Sequence, residues 1–204
     1  MARPRKNYGI NGKKAVLKNL KNVMEAVGQK YSIRVGVIGE KAYEKHPDTD
    51  LTNAQLGAVH EFGADIKVTP KMRAFLHYLG IHLKKETTHI KIPERSFLRK
   101  VLFDKNIQNY IYDKAGAKSE SSEAAKLELL KRGNADFMDD IAETIGAAAL
   151  EQVQIAFNVG GQPEQWQPIT QFTKEHRIND PKSPPLNDTG SLYKSITVDV
   201  KRVK

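Results

Sequence analysis

Apolar residues recur along this chain at two spacings, and the switches between them mark its elements. Val16, Leu17, Leu20, Val23, Met24 and Val27 form one stripe of a helix that starts at Lys13, with lysines on the other side and Gly28 as its stop. The period then drops to two. Tyr31, Ile33, Val35 and Val37 alternate with Ser32, Arg34 and Gly36, which predicts a strand ending at Gly39. Thr52, with Gln55 three residues on, opens a second helix through a capping box; Leu56, Val59 and Phe62 are its expected inward face and Gly63 its end. A short strand at 66–69 leads to a helix from Pro70 to Gly80, with Met72, Phe75, Leu76 and Leu79 in register. Ile81 and Leu83, then Thr88, Ile90 and Ile92, read as a hairpin turning at Lys84-Lys85-Glu86.

In the second half helices dominate. Ser96 is the expected cap of a long helix reaching Lys114, whose apolar residues (Leu98, Val101, Leu102, Ile107, Tyr110 and Ile111) spread over more than one side. Small polar residues at 116–122 break the pattern, and a helix at 123–131 stops at Gly133. The longest helical pattern covers 134–158: Phe137, Ile141, Ile145, Ala148, Ala149 and Val153 share a face, and Gly146 admits a close neighbour. Asp139, Asp140 and Glu143 fall on the opposite face and are expected to be solvated. Trp166 packs an irregular segment, Thr170 caps a short helix through Lys174, and Asp188 or Thr189 caps another after the turn that Gly190 permits. Ile196, Val198 and Val200 then alternate as a closing strand. Together these elements predict an α+β fold: a small β-sheet packed with several helices, two of them long. The expected organisation is a basic arm and helix over 1–30, then a single α+β domain over 31–204, with a helical segment at about 96–158 inserted between strand regions.

Composition narrows the function. The chain has 204 residues, no cysteine and a net charge of +9. Disulfides and thiolate metal sites are therefore excluded, in keeping with assembly in a reducing cytoplasm. The start, Ala2-Arg-Pro-Arg-Lys6, leads into no apolar run, so no signal peptide is expected, and no stretch is long enough for a membrane span. The charge is concentrated at one end. Residues 1–30 carry Arg3, Arg5, Lys6, Lys13, Lys14, Lys18, Lys21 and Lys30 against Glu25 alone. Such an arm can neutralise phosphates or dock on an acidic protein surface.

Candidate chemistry does not survive a check of its partners. Asp188-Thr-Gly-Ser191 has the letters of an aspartic-protease loop, but it follows Pro184 and Pro185 rather than an apolar strand, and a second Asp-Thr-Gly is absent. Ser191-x-x-Lys194 lacks the Ser-Asp-Asn and Lys-Thr-Gly motifs of β-lactamases. His60-Glu61 would need a second histidine at position 64, which is Ala. Five of the six histidines lie between 46 and 89, none at helical i, i+4 spacing. No catalytic, cofactor or metal residue is expected.

Four segments occur in order: Leu56-Gly-Ala-Val-His-Glu-Phe-Gly63, Ile92-Pro-Glu-Arg-Ser-Phe-Leu-Arg99, Trp166-Gln-Pro-Ile-Thr170 and Leu186-Asn-Asp-Thr-Gly-Ser-Leu-Tyr-Lys-Ser-Ile196. With these the chain resembles the virion-morphogenesis, or tail-completion, proteins of Mu-like phages over roughly residues 30–200, and more loosely the head–tail connector proteins of other long-tailed phages. The resemblance implies a non-enzymatic structural protein of the virion neck, acting in tail completion or termination and head–tail joining. It implies an oligomeric ring, six copies being the form that matches a tail tube. Its partners would be itself and the neighbouring connector, tail tube or sheath, with non-specific contact to genomic DNA in the lumen. On this reading Phe62, Gly63, Phe97, Trp166, Asp188 and Gly190 are structural anchors. Glu61, Arg95 and Arg99, with the arm cations, face a neighbouring chain; intramolecular salt bridges alone are the competing expectation. The alternative function is a nucleic-acid-binding module that uses the basic arm.

Overall fold

A computed structural model describes residues 30–46, 49–115, 137–175, 177 and 182–203, with Lys18, Lys21 and Gly28 besides. The expected helix at 123–131, the arm cations Arg3, Arg5, Lys6, Lys13 and Lys14, and the helix from Lys13, apart from those three positions, lie outside the described residues. The fold is α+β, and the chain divides into two compact units. One comprises Met1–Arg34, Lys105–Ala149 and Val198–Lys204, the other Val35–Asp104 and Leu150–Thr197. Strand β1 (Lys30–Val37) and strand β4 (Ile196–Val203) pair in a two-stranded sheet.

In the first unit, the N-terminal part of the long helix α6 (Phe137–Val159) buries Ala142, Gly146, Ala148 and Ala149. Gly146 is there for space. A Cβ at this position would lie 2.8 Å from Val198 Cγ2, 3.1 Å from Val200 Cγ2 and 3.4 Å from Ile33 Cγ2. Asp139 is not the free surface acid that the pattern predicts. Tyr31 donates to its Oδ1 at 2.7 Å, and Arg202 binds both carboxylate oxygens. These bonds, Arg202 first, hold its pKa at about 2. Helix α5 (Lys105–Lys114) contributes Ile111 to the core.

The second unit is built on aromatic packing. Phe97 and Phe157 are fully buried and meet edge-on with centroids 5.1 Å apart; Trp166 and Tyr193 add edge contacts to Phe157 at 5.7 and 5.8 Å. Each fully buried Phe contributes about 1.5–3 kcal/mol by removal of apolar surface from water. Helix α1 (Glu40–Tyr43) and helix α2 (Asn53–Phe62) precede the aromatic cluster. The expected long helix from Ser96 is instead two: α4 (Arg99–Leu102) and α5, interrupted at Phe103 and Asp104. Near the C-terminal end of this unit lie the two short helices α7 (Gln171–Glu175) and α8 (Ser191–Ser195).

Between α2 and α4 the chain makes an excursion. Strand β2 (Ala64–Lys67), helix α3 (Pro70–Tyr78) and strand β3 (His89–Ile92) follow one another, and from residue 62 to residue 94 no side chain is buried. The hairpin expected at 81–92 does not form. Strand β3 pairs antiparallel with β2, Ala64 opposite Ile92 and Lys67 opposite His89. The reason lies in Arg73, whose guanidinium donates to the carbonyls of Leu83, Lys84 and Thr87 at 3.2, 2.8 and 2.6 Å. These bonds tie residues 83–87 down as a loop. Entry and exit of the excursion lie side by side: the Arg95 N–H donates to the His60 carbonyl at 2.8 Å. Gly63, at φ 72°, turns the chain there, and a Cβ on it would meet the Ile92 carbonyl at 3.0 Å.

Candidate functional site

Helix α2 begins as its sequence predicts. The Gln55 N–H donates to Thr52 Oγ1 at 3.3 Å, and the Thr52 N–H donates to Gln55 Oε1 at 2.9 Å. Its inward face is not the predicted one. Asn53, Gly57 and Glu61, four residues apart, are buried, whereas Phe62 is 63% exposed. Gly57 lets the core come close: a Cβ there would lie 3.4 Å from Leu192 Cδ1 and Val37 Cγ2.

Glu61 is 4% exposed, and its carboxylate closes the start of α4 from a distance in sequence. Oε1 accepts from Ser96 Oγ at 2.6 Å and from the Arg99 N–H at 2.8 Å. Oε2 accepts from the N–H groups of Phe97 at 2.8 Å and Leu98 at 3.0 Å. These are the orphan donors of a helix start, which a local side chain usually satisfies. Ser96 does not cap alone. Its hydroxyl donates to Glu61 and accepts from the Lys100 N–H at 3.1 Å.

The predicted interface residues therefore divide. Glu61 is buried inside its own chain, because four donors are there to satisfy it; it does not face a neighbour. Arg95 is 7% exposed and donates through Nε to the Gln167 carbonyl at 3.1 Å. Arg99 is half-exposed. It pairs with Glu61 at 3.3 Å and Glu94 at 3.2 Å, and its guanidinium lies 4.5 Å over the Phe62 ring. Phe62 is thus a lid on a cation at the surface and not a core anchor. Phe97 is fully buried, and the Trp166 indole N–H donates to the Ser96 carbonyl at 3.3 Å. Gly190 takes φ 73°, and the Thr189 hydroxyl accepts from the Ser191 N–H at 3.2 Å at the start of α8. The Ser191 hydroxyl donates to Asn53 Oδ1 at 3.3 Å.

All four sequence segments also line one cavity of about 490 Å³. Leu56 and His60 come from α2, Ile92 from the end of β3, Arg95 from the turn after it, Ile169 from the third segment and Leu186 and Asp188 from the fourth. The His60 ring is mostly buried, and its Nδ1 has no partner among the described residues. Burial, with Arg95 and His46 adding repulsion, pushes its pKa down to about 4, so the ring is neutral near pH 7. The Arg95 guanidinium is likewise pushed below its usual range, by burial first and by Arg177 second. Arg177 itself donates to the carbonyls of Ser183 and Pro184. Sequence reasoning missed Arg177, Lys91 and His60 as a group, since they are scattered and share no spacing. Among the described residues no cluster of His, Asp or Glu could hold a metal ion, and no helix is long and apolar enough to cross a membrane. Comparison with protein-family models, curated proteins and solved structures gives no match.

Proposed function

We propose that this chain is a structural protein of a phage virion neck, acting in tail completion or termination and head–tail joining as a ring of identical copies. The observation that carries this reading is the excursion over residues 62–94. It has no buried side chain and leaves Phe75, Tyr78 and Leu79 exposed on one short helix and its end, with Tyr78 at 85%. A contiguous exposed aromatic face marks a surface used in assembly, and a head-to-tail contact that closes by rotation yields a ring. The motif residues Glu61, Ser96, Arg99 and Trp166 bond to backbone groups and to one another, an arrangement suited to rigidity. The partners proposed are further copies of the chain and the adjacent connector, tail tube or sheath, in a virion assembled in the bacterial cytoplasm.

Sedimentation of the full chain, paired with mass spectrometry of purified virions, tests the reading. A discrete closed oligomer and presence in the particle are expected, with Phe75→Ser/Tyr78→Ser reducing assembly while leaving the subunit folded. A protein that stays monomeric and is missing from virions ends the proposal. A second reading rests on the surplus of eight cations over one acid in residues 1–30: a module that binds nucleic acid through this arm. Filter binding across a salt series decides it, because phosphate contacts weaken steeply as salt rises.

A further inference from the structure

We propose that the cavity beside α2 is a binding site for an anionic ligand, an oxyanion head (carboxylate or phosphate) joined to an apolar body. Arg95 is the cavity's first cation. The residue is 7% exposed and lines the cavity, yet only Nε is used; the two terminal nitrogens meet no acceptor among the described residues. The free end of this planar fork fits an oxyanion with two parallel bonds.

A second cation lines the same cavity. Arg177 lies close enough to repel Arg95, and its bonds go to neutral carbonyls, so neither arginine has an ion-pair partner among the described residues. Lys91 adds a third positive group to the wall, against one acid, Asp188. Two guanidinium groups on one cavity wall, each held by carbonyls, favour an oxyanion that relieves the repulsion between them. Beside it, the unpartnered Nδ1 of His60 offers a neutral hydrogen-bonding atom.

The rest of the wall selects for an apolar body. Leu56, Ile169, Phe172 and Leu192 line it, together with Leu186. Leu186 is held at φ 69°, a conformation that costs a non-glycine residue free energy and that collects at binding sites. The volume of about 490 Å³ falls in the range of small-molecule pockets. One head of this chemistry can come from a free small molecule or from an acidic residue of a neighbouring chain.

The proposal does not rest on the ring reading. Isothermal titration of the full chain with inorganic phosphate, benzoate and hexanoate tests it, alongside NMR of the arginine Nε–H resonances. Saturable binding by at least one of these anions is expected, with shifts at Arg95 and Arg177. Arg95→Gln and Arg177→Gln should each weaken binding at least ~10-fold, the loss that one charge-assisted hydrogen bond implies. Lys84→Gln, away from the cavity, should not change it. Should Arg95→Gln fail to fold, Arg177→Lys carries the test: the charge stays, the fork goes, and binding should weaken several-fold. Absence of saturable binding by all three anions overturns the site, as does unchanged affinity in Arg177→Gln. Sedimentation with saturating anion separates the sources. Dissociation of an oligomer assigns the head to a neighbouring chain, whereas an unchanged assembly, or a monomer throughout, assigns it to a small molecule.

Discussion

Replacing Glu61 by Gln keeps shape and volume and changes one acceptor oxygen into a donor. The four hydrogen bonds set most of the cost, the half-exposed Arg99 pair adding little. An NH2 group at the Oε2 position would confront the N–H groups of Phe97 and Leu98, neither of which can turn. At the Oε1 position it would confront the Ser96 hydroxyl, which can rotate to accept, and the Arg99 N–H, which cannot. The second arrangement is cheaper and leaves one buried donor without an acceptor, at about 1–3 kcal/mol. The two bonds to the remaining oxygen lose their charge assistance, together about 1–2 kcal/mol. Glu61→Gln should therefore destabilise by about 3 kcal/mol, and Glu61→Ala by more, since it removes every acceptor. Urea titration is the assay. The single tryptophan, Trp166, reports on this very junction, because its indole donates to the Ser96 carbonyl. Glu94→Gln, which breaks only exposed pairs of Arg99 and Lys100, should cost no more than about 1 kcal/mol. A Glu61→Gln protein within about 0.5 kcal/mol of the parent, the scatter expected of a surface change, would refute the capping argument.

Two further outcomes are expected. The His60 pKa falls from 6.5 to about 4 on folding, so the unfolded chain binds the extra proton and stability declines as pH drops through that window. The full decline is on the order of 3 kcal/mol by linkage, and denaturant midpoints measured from pH 7 to pH 4 should show it, with the slope flattened in His60→Leu; an equal slope in both proteins contradicts it. Gly146→Ala gains about 1 kcal/mol in helix propensity but drives a methyl against the stiff ends of Val198 and Val200. A net loss of about 1–2 kcal/mol in a thermal melt is expected, and a stabilised variant would show that the helix has room to move.

What the sequence discloses is local. The capping box of Thr52 and Gln55, the stop at Gly63, the turn at Gly190 and the alternation from Ile196 onward depend on neighbours within a few positions, and each is where the pattern puts it. Most of the errors are non-local. Spacing sends Phe62 inward and Glu61 outward, but the donors that draw Glu61 inside lie more than thirty residues later, and Arg99 supplies the cover that Phe62 finds outside. Alternation at 81–92 marks extended chain without naming its partner, which turns out to be β2. The unbroken pattern after Ser96 hides the interruption at Asp104. The cavity is the least legible feature: Lys91, Arg95 and Arg177 line it together although residue 177 lies about eighty residues from the other two.

The backbone bond between Arg95 and His60 has a consequence for how such a chain can vary. Everything from Phe62 to Glu94 leaves and returns through a single closed stem, so its length is uncoupled from the packing of Phe97 and Phe157. Extending a loop already tied at its base costs only about 0.6 kcal/mol per doubling. The tip can thus be lengthened, shortened or reshaped on an unchanged foundation, without refolding the body that presents it.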